Sequence, residues 1–123
     1  SKNTTELNYE NNYRYLRYAD VLLMAAEANN RGGISDSKAQ TYLNQVRSRA
    51  GVSAINETGS ALTQAIWDER RLEFAGEGHR FFDLVRTGQA ANEISGFVAG
   101  KHEVFPIPQT EIDISGLTQN PGY

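Results

Sequence analysis

His79 and Asp83 stand four residues apart in the run EGHRFFDLVR, so a helix puts them on one face, with Glu77 a turn away. A histidine among carboxylates can ligate a metal or carry a proton. The competing account is a structural histidine bonded to a neighbouring carboxylate beside Gly76 and Gly78. No second histidine is clustered here and no HExxH spacing exists, so the residues favour the structural account. His102 stands alone in the tail and makes no ligand set by itself.

Asp20, Glu27, Glu69 and Glu73 are the other candidates for chemistry. Glu69 and Glu73 are adjacent on one helical face, as a catalytic carboxylate pair would be. Yet arginines crowd the same stretches: Arg17, Arg47, Arg49, Arg70, Arg80 and Arg86. A guanidinium holds two carboxylate oxygens at once, which lysine cannot. The spacing therefore predicts a buried carboxylate–guanidinium network that ties helices together. Trp67, Phe74, Phe81 and Phe82 could stack on sugar rings, but at helical spacing in apolar segments they read as core. No glycine-rich phosphate loop and no supported Ser/His/Asp or Cys/His set occurs. Catalytic residues, metal ligands and cofactors are not called for, and no ligand-binding residue can be named.

The elements that must place these residues are helices. Leu62 to Gly88 is the organising stretch. In its first part Leu62, Ala65, Ile66 and Leu72 share a face with Glu69 and Glu73. Trp67 and Phe74 form a second flank with Arg70 between, leaving Gln64, Asp68 and Arg71 to meet water. Apolar character over so much circumference predicts an interior helix packed on at least two sides. Carboxylates on such a face cost several kcal/mol each unless paired. Ser60 is the best cap, Gly76 and Gly78 predict a break, and a short helix HRFFDLVR ends at Gly88.

Residues 1–12 are polar and Asn-rich and read as a flexible lead-in or linker. From Tyr13 onward a helix is expected through YLRYADVLLMAAEANN, with strong helix formers throughout. Tyr15, Leu16, Ala19, Leu22, Leu23 and Ala26 would line one side; Val21, Met24, Ala25 and Ala28 the other. Gly32 and Gly33 end it, and Ser35 or Asp36 caps the next helix. There Ala39, Tyr42, Leu43, Val46 and Ala50 form a narrow stripe edged by Arg47 and Arg49, and Gly51 closes it. The two helices make a hairpin of roughly one 34-residue helical-repeat unit. After Gly88 the chain reads as irregular. Val104 to Pro108 is extended and expected to dock on the helices, Pro108 opens a helical turn, and Asn120-Pro121-Gly122 is a turn.

Net charge is −3 over 123 residues, with no dense basic patch, which argues against nucleic acid as a partner. No apolar run reaches membrane-spanning length, and the first residues lack a signal-peptide core. There is no cysteine, hence no disulfide framework or thiolate metal site. The fold class is all-α: a tetratricopeptide-like hairpin, a long central helix, a short helix and an irregular tail.

Five collinear blocks carry a resemblance: RYADVLLMAAEA, LNQVRSRAG, ERRLEFAGEGHRFFDLVRTG, FPIPQTEI and LTQNPGY. They resemble the C-terminal part of the SusD/RagB family of outer-membrane nutrient-binding lipoproteins, covering nearly everything after residue 12. The resemblance implies an α-helical protein of tetratricopeptide-like helix pairs, anchored on the external face of the outer membrane by a lipidated cysteine. It implies a SusC-like TonB-dependent transporter as partner and a glycan or other nutrient as ligand, bound without cleavage. The chain departs from the family in length, and lacks the signal peptide, the lipid-bearing cysteine and the N-terminal helix pairs. Its Asp113-Ile114-Ser115-Gly116 link also differs from the family's more usual one. In the family, ligand contacts come largely from other regions, so none is carried over. The rival readings are a free-standing helical-repeat adaptor that grips a partner protein and, further off, a metal-dependent enzyme around His79.

Overall fold

The computed structural model describes residues 14–123. The lead-in over residues 1–12 lies outside the described residues. Among the described residues the regular secondary structure is all helical: α1 (Tyr18–Arg31), α2 (Asp36–Arg49), α3 (Gly59–Glu73), α4 (Arg80–Arg86), α5 (Ala90–Glu93) and α6 (Gln109–Ser115). It divides into two compact units, one ending at Glu73 and one running from Phe74 to Tyr123.

In the first unit α1 pairs closely with α2, and α3 packs on both, most extensively on α1. Leu22, Leu23 and Ala26 of α1 meet Ala39, Leu43 and Val46 of α2 and Leu62 and Ile66 of α3 in one core. Leu23, Leu43, Leu62 and Ile66 are fully enclosed, each worth about 1.5–3 kcal/mol of transfer free energy. The helix ends are built from sequence-local chemistry. Ser35 caps α2 by accepting from the Lys38 N–H at 3.3 Å. At the end of α1, Ile34 N–H reaches Asn29 O and Gly33 N–H reaches Asn30 O, with Gly33 left-handed at φ 64°. Gly32 is right-handed, and its glycine has a different cause: a Cβ there would lie 2.5 Å from the Ala28 carbonyl.

Several expectations fail in detail. The first helix begins at Tyr18, so Tyr15 and Leu16 precede it and are exposed. Val21, Met24 and Ala28, expected to pack, face solvent. Leu72 is 70% exposed, so α3 buries one side and not two. Phe74 is the first residue past α3, not a flank of it. The N-terminus of α3 is not capped by Ser60, which sits inside the helix; Gly59 begins it and its N–H bonds the Asp36 carboxylate at 2.7 Å.

In the second unit the chain turns through Gly76 and Gly78 into α4, as the glycines predict. A short α5, not foreseen, follows Gly88. Phe81 and Phe97 have ring centroids 6.5 Å apart, and His102 meets Phe97 edge-on at 5.7 Å. Pro108 opens two turns of α6 rather than one, and Gly116 ends them in the left-handed region. Residues 113–116 are thus the close of a helix. The stretch before Pro108 is extended, with Val104 and Phe105 exposed, Phe105 at 80%, and only Ile107 half-buried. It is held by its backbone. The Gln119 amide accepts from Ile107 N–H at 2.8 Å and donates to Ile107 O at 2.9 Å. Asn120 donates to Phe105 O, and the Tyr123 hydroxyl to Val104 O.

Candidate functional site

The residues singled out for chemistry resolve into an ionic lock on α3. Leu62 and Ile66 fix the buried face of α3, and the heptad-like continuation of that face carries Glu69 and Glu73 inward. Glu69 meets Arg47 of α2 at 2.5 Å. Glu73 accepts from Arg17 at 2.8 Å and from Arg49 Nη2 at 2.7 and 2.6 Å, one to each carboxylate oxygen. Arg17 also donates to the Glu73 carbonyl at 3.0 Å, closing the last turn of α3. From the adjacent side of α3, Arg70 reaches Asp20 of α1 at 2.6 Å, both side chains buried. Glu27 is held by Arg31 one turn on, at 2.9 Å.

All four predicted acids therefore carry a guanidinium, and four of the six predicted arginines serve the lock. Arg86 instead pairs locally with Asp83 at 2.8 Å, and Arg80 with Glu93 at 3.4 Å. Buried pairs of this kind add little net stability, but removing one partner costs about 3–5 kcal/mol.

The His79 constellation does not assemble. The His79 ring lies against Phe74, centroids 4.8 Å apart, while Asp83 turns to Arg86. Among the described residues no group of three His, Asp or Glu side chains is placed to hold a metal ion. His102 Nδ1 accepts from Val98 N–H at 2.9 Å, a turn-closing contact. Of the aromatics, Phe74 is buried, Trp67 and Phe81 are half-buried, and Phe82 is exposed. Phe82 meets Phe81 edge-on at 5.8 Å.

One polar cluster escaped the sequence reading. Buried Asn30 donates to Asp36 Oδ1 at 2.7 Å and to Gly59 O at 3.0 Å, and accepts from the Thr63 hydroxyl at 2.5 Å. Asp36 also accepts from Gly59 N–H, and these donors hold its carboxyl below its ordinary value of 3.8, the Gly59 N–H foremost. The cluster joins the end of α1, the start of α2 and the start of α3. Asp36 is recognisable in sequence as a helix-start residue, but nothing in sequence says that it caps the other helix.

Two open grooves flank the lock. One of about 340 Å³ lies beside Tyr18, Leu22 and Val46, rimmed by Arg17 and Arg49. The other, about 480 Å³, lies along Ala61, Ala65 and Leu72 of α3. Neither holds a nucleophile beside a base. Glu69 on the second groove is paired with Arg47, and Asp68 there accepts from the Gln64 amide, so the two grooves present shape and hydrogen-bonding groups. Among the described residues no helix is long and apolar enough to cross a membrane.

The chain matches the model of the SusD family over residues 1–104. It is 33% identical to SusD-like protein P2 of Formosa agariphila over 91% of its own length and 26% of that protein's. Among solved structures it resembles a SusD homologue from Bacteroides thetaiotaomicron, with TM-score 0.78 and 38% identity, covering 86% of this chain and 24% of that one. It also resembles surface glycan-binding protein A from Bacteroides uniformis, with TM-score 0.75 and 42% identity, covering 93% and 28%. The chain thus spans about a quarter of the relatives it matches. With a family match over most of its residues and an all-helical architecture shared with these structures, the chain belongs to the SusD family.

Proposed function

We propose that this chain is the non-catalytic helical part of a SusD-like nutrient-binding protein, with a glycan as the nutrient. Its own contribution is structural and docking: a rigid scaffold held by the arginine lock. The observation that carries this reading is that Asp20, Glu27, Glu69 and Glu73 are all arginine-paired, which leaves none of them as an acid or base. The name of the Bacteroides uniformis neighbour, a surface glycan-binding protein, supports the ligand class. In the same reading the complete protein sits on the external face of the outer membrane by a lipid anchor and works beside a SusC-like TonB-dependent transporter. A glycan-array screen tests it, with the 123-residue chain run beside a polypeptide extended to the length of the relatives. Binding by the extended protein alone is the expected result. A saccharide held firmly by this chain by itself would overturn the assignment of recognition elsewhere, and glycan turnover by either protein would overturn the non-catalytic reading.

A further inference from the structure

In the second unit, Gln119 and Glu103 accept from backbone N–H groups through amide and carboxylate oxygens, whereas His102 does so through a ring nitrogen. A ring nitrogen accepts only while it carries no proton. The Val98 N–H lies 2.9 Å from Nδ1, so this contact requires the neutral ring with its hydrogen on Nε2. The turn it closes is short. Lys101 N–H and His102 N–H both reach Val98 O, at 3.2 and 3.0 Å, and Gly100 N–H reaches Glu103 Oε1 at 3.0 Å. Gly100 N–H and then the Glu103 N–H hold the Glu103 carboxyl below its ordinary value of 4.5. Glu103 therefore stays ionised over about pH 5–8, the range in which an imidazole changes charge. It attracts an imidazolium on its neighbour, while the Val98 N–H opposes one. The Phe97 ring meets His102 edge-on, and the α4 and α5 residues nearest the turn, Val85, Ala90 and Ala91, are apolar. Glu103 is the one titratable group among the residues lining the hollow of about 160 Å³ there.

The other charge on the turn, Lys101, ties it to residues 120–123. Its Nζ lies 4.7 Å over the Tyr123 ring, and a Cβ on Gly122 would come 3.0 Å from its Cδ. Tyr123 and Asn120 in turn hold Val104 O and Phe105 O. We propose that residues 98–103 are a proton-operated latch on the tail. Protonation of His102 at Nδ1 releases the Val98 N–H and opens the turn. Through Lys101 it then loosens the clasp of Gln119, Asn120 and Tyr123 on the extended segment from Val104 to Ile107. The latch is closed with the neutral ring and opens as pH falls through imidazole titration.

Amide exchange in the 123-residue chain, expressed as protection over the intrinsic rate at each pH, reads the latch. From about pH 8 to about pH 5 the protection of Val98 is expected to fall roughly fivefold or more, the net worth of one hydrogen bond. Ile107, whose N–H is held by Gln119, is expected to follow, while Leu43 in the other unit's core keeps its protection. His102→Gln supplies an acceptor oxygen that does not titrate, so Val98 and Ile107 are expected to be flat with pH in that variant. His79→Gln is expected to respond as the parent chain does. Lys101→Ala is expected to keep the response at Val98 and lose it at Ile107. A flat Val98 in the parent chain overturns the proposal, as does a response that survives His102→Gln or that Leu43 shares. An Ile107 that ignores Val98 in the parent, or still follows it in Lys101→Ala, overturns the link to the clasp.

Discussion

Arg70 Nη1 donates to Asp20 Oδ1 at 2.6 Å across fifty positions of sequence, and neither side chain meets water appreciably. This pair joins α3 to α1 beside the Glu69 and Glu73 contacts to α2, so the buried face of α3 is tied to both helices. Asp20→Ala leaves a buried guanidinium without its carboxylate and is expected to destabilise the chain by about 3–5 kcal/mol. The double variant Asp20→Leu, Arg70→Leu removes both charges and is expected to recover most of that loss. Thermal melts of the single and double variants decide it. A double variant as unstable as the single one would mean that packing, not charge, sets the cost.

Glu69→Ala orphans Arg47, whose Nε is also committed to Ser53 O at 2.7 Å. The expected loss is again about 3–5 kcal/mol, discounted toward the lower figure because Arg47 retains some solvent contact. Urea unfolding measures it, and a midpoint near wild type would remove this pair from the lock.

Asp36 gives the fold a dependence on acid. Its carboxyl is held below the ordinary value of 3.8 by Gly59 N–H and by the Asn30 amide. A lowered folded-state value means stability that is complete above about 3.8 and lost as pH falls through the lowered value. Asp36→Asn cannot titrate, so its stability should stay flatter than wild type through that window while lying below it at neutral pH. Melts from neutral pH down into the acid range check this; parallel curves would show that Asp36 is not the group responsible.

The tail makes a separate prediction. The single Gln119 amide satisfies both backbone groups of Ile107. Gln119→Ala leaves that N–H and C=O to find water and is expected to cost about 1–3 kcal/mol locally. Amide exchange at Ile107 should quicken in the variant while exchange at Leu43, in the other unit's core, stays as it was. Unchanged protection at Ile107 would show that the clasp is held by Asn120 and Tyr123 alone.

The helices and the need for an arginine lock were legible because burial leaves carboxylates no other outcome. A Glu four residues from another Glu on an apolar face must meet a cation. Which arginine meets which acid was not legible, since Arg17 and Arg49 converge on Glu73 from positions 56 and 24 residues away. The same holds for Asp36, which reads locally as the first residue of α2 yet serves Gly59 across 23 positions. Val21 and Met24 misled in the opposite sense. Their apolar side chains at helical spacing predict a packed second face, yet both lie exposed, because periodicity reports a face and not its neighbour. The His79 cluster failed because the turn between α3 and α4 puts the His79 ring beside Phe74, while Asp83 pairs with Arg86 three residues on.

Trp67 offers the last test, because its indole is only partly accommodated. Its Nε1 is buried without a hydrogen-bond partner among the described residues, while the Arg31 guanidinium lies 5.6 Å over the ring. An unsatisfied buried donor costs about 1–3 kcal/mol, which offsets much of what the ring contributes by burial. Trp67→Phe discards the donor and keeps an aromatic face for Arg31, so it is expected to fall within about 1 kcal/mol of wild type. Trp67→Ala, which loses the ring altogether, should cost about 3–5 kcal/mol. If denaturant titration puts the Phe variant as low as the Ala variant, the indole N–H has a partner that matters, and the ion-pair end of α1 is tied to α3 more tightly than its cation–π contact alone implies.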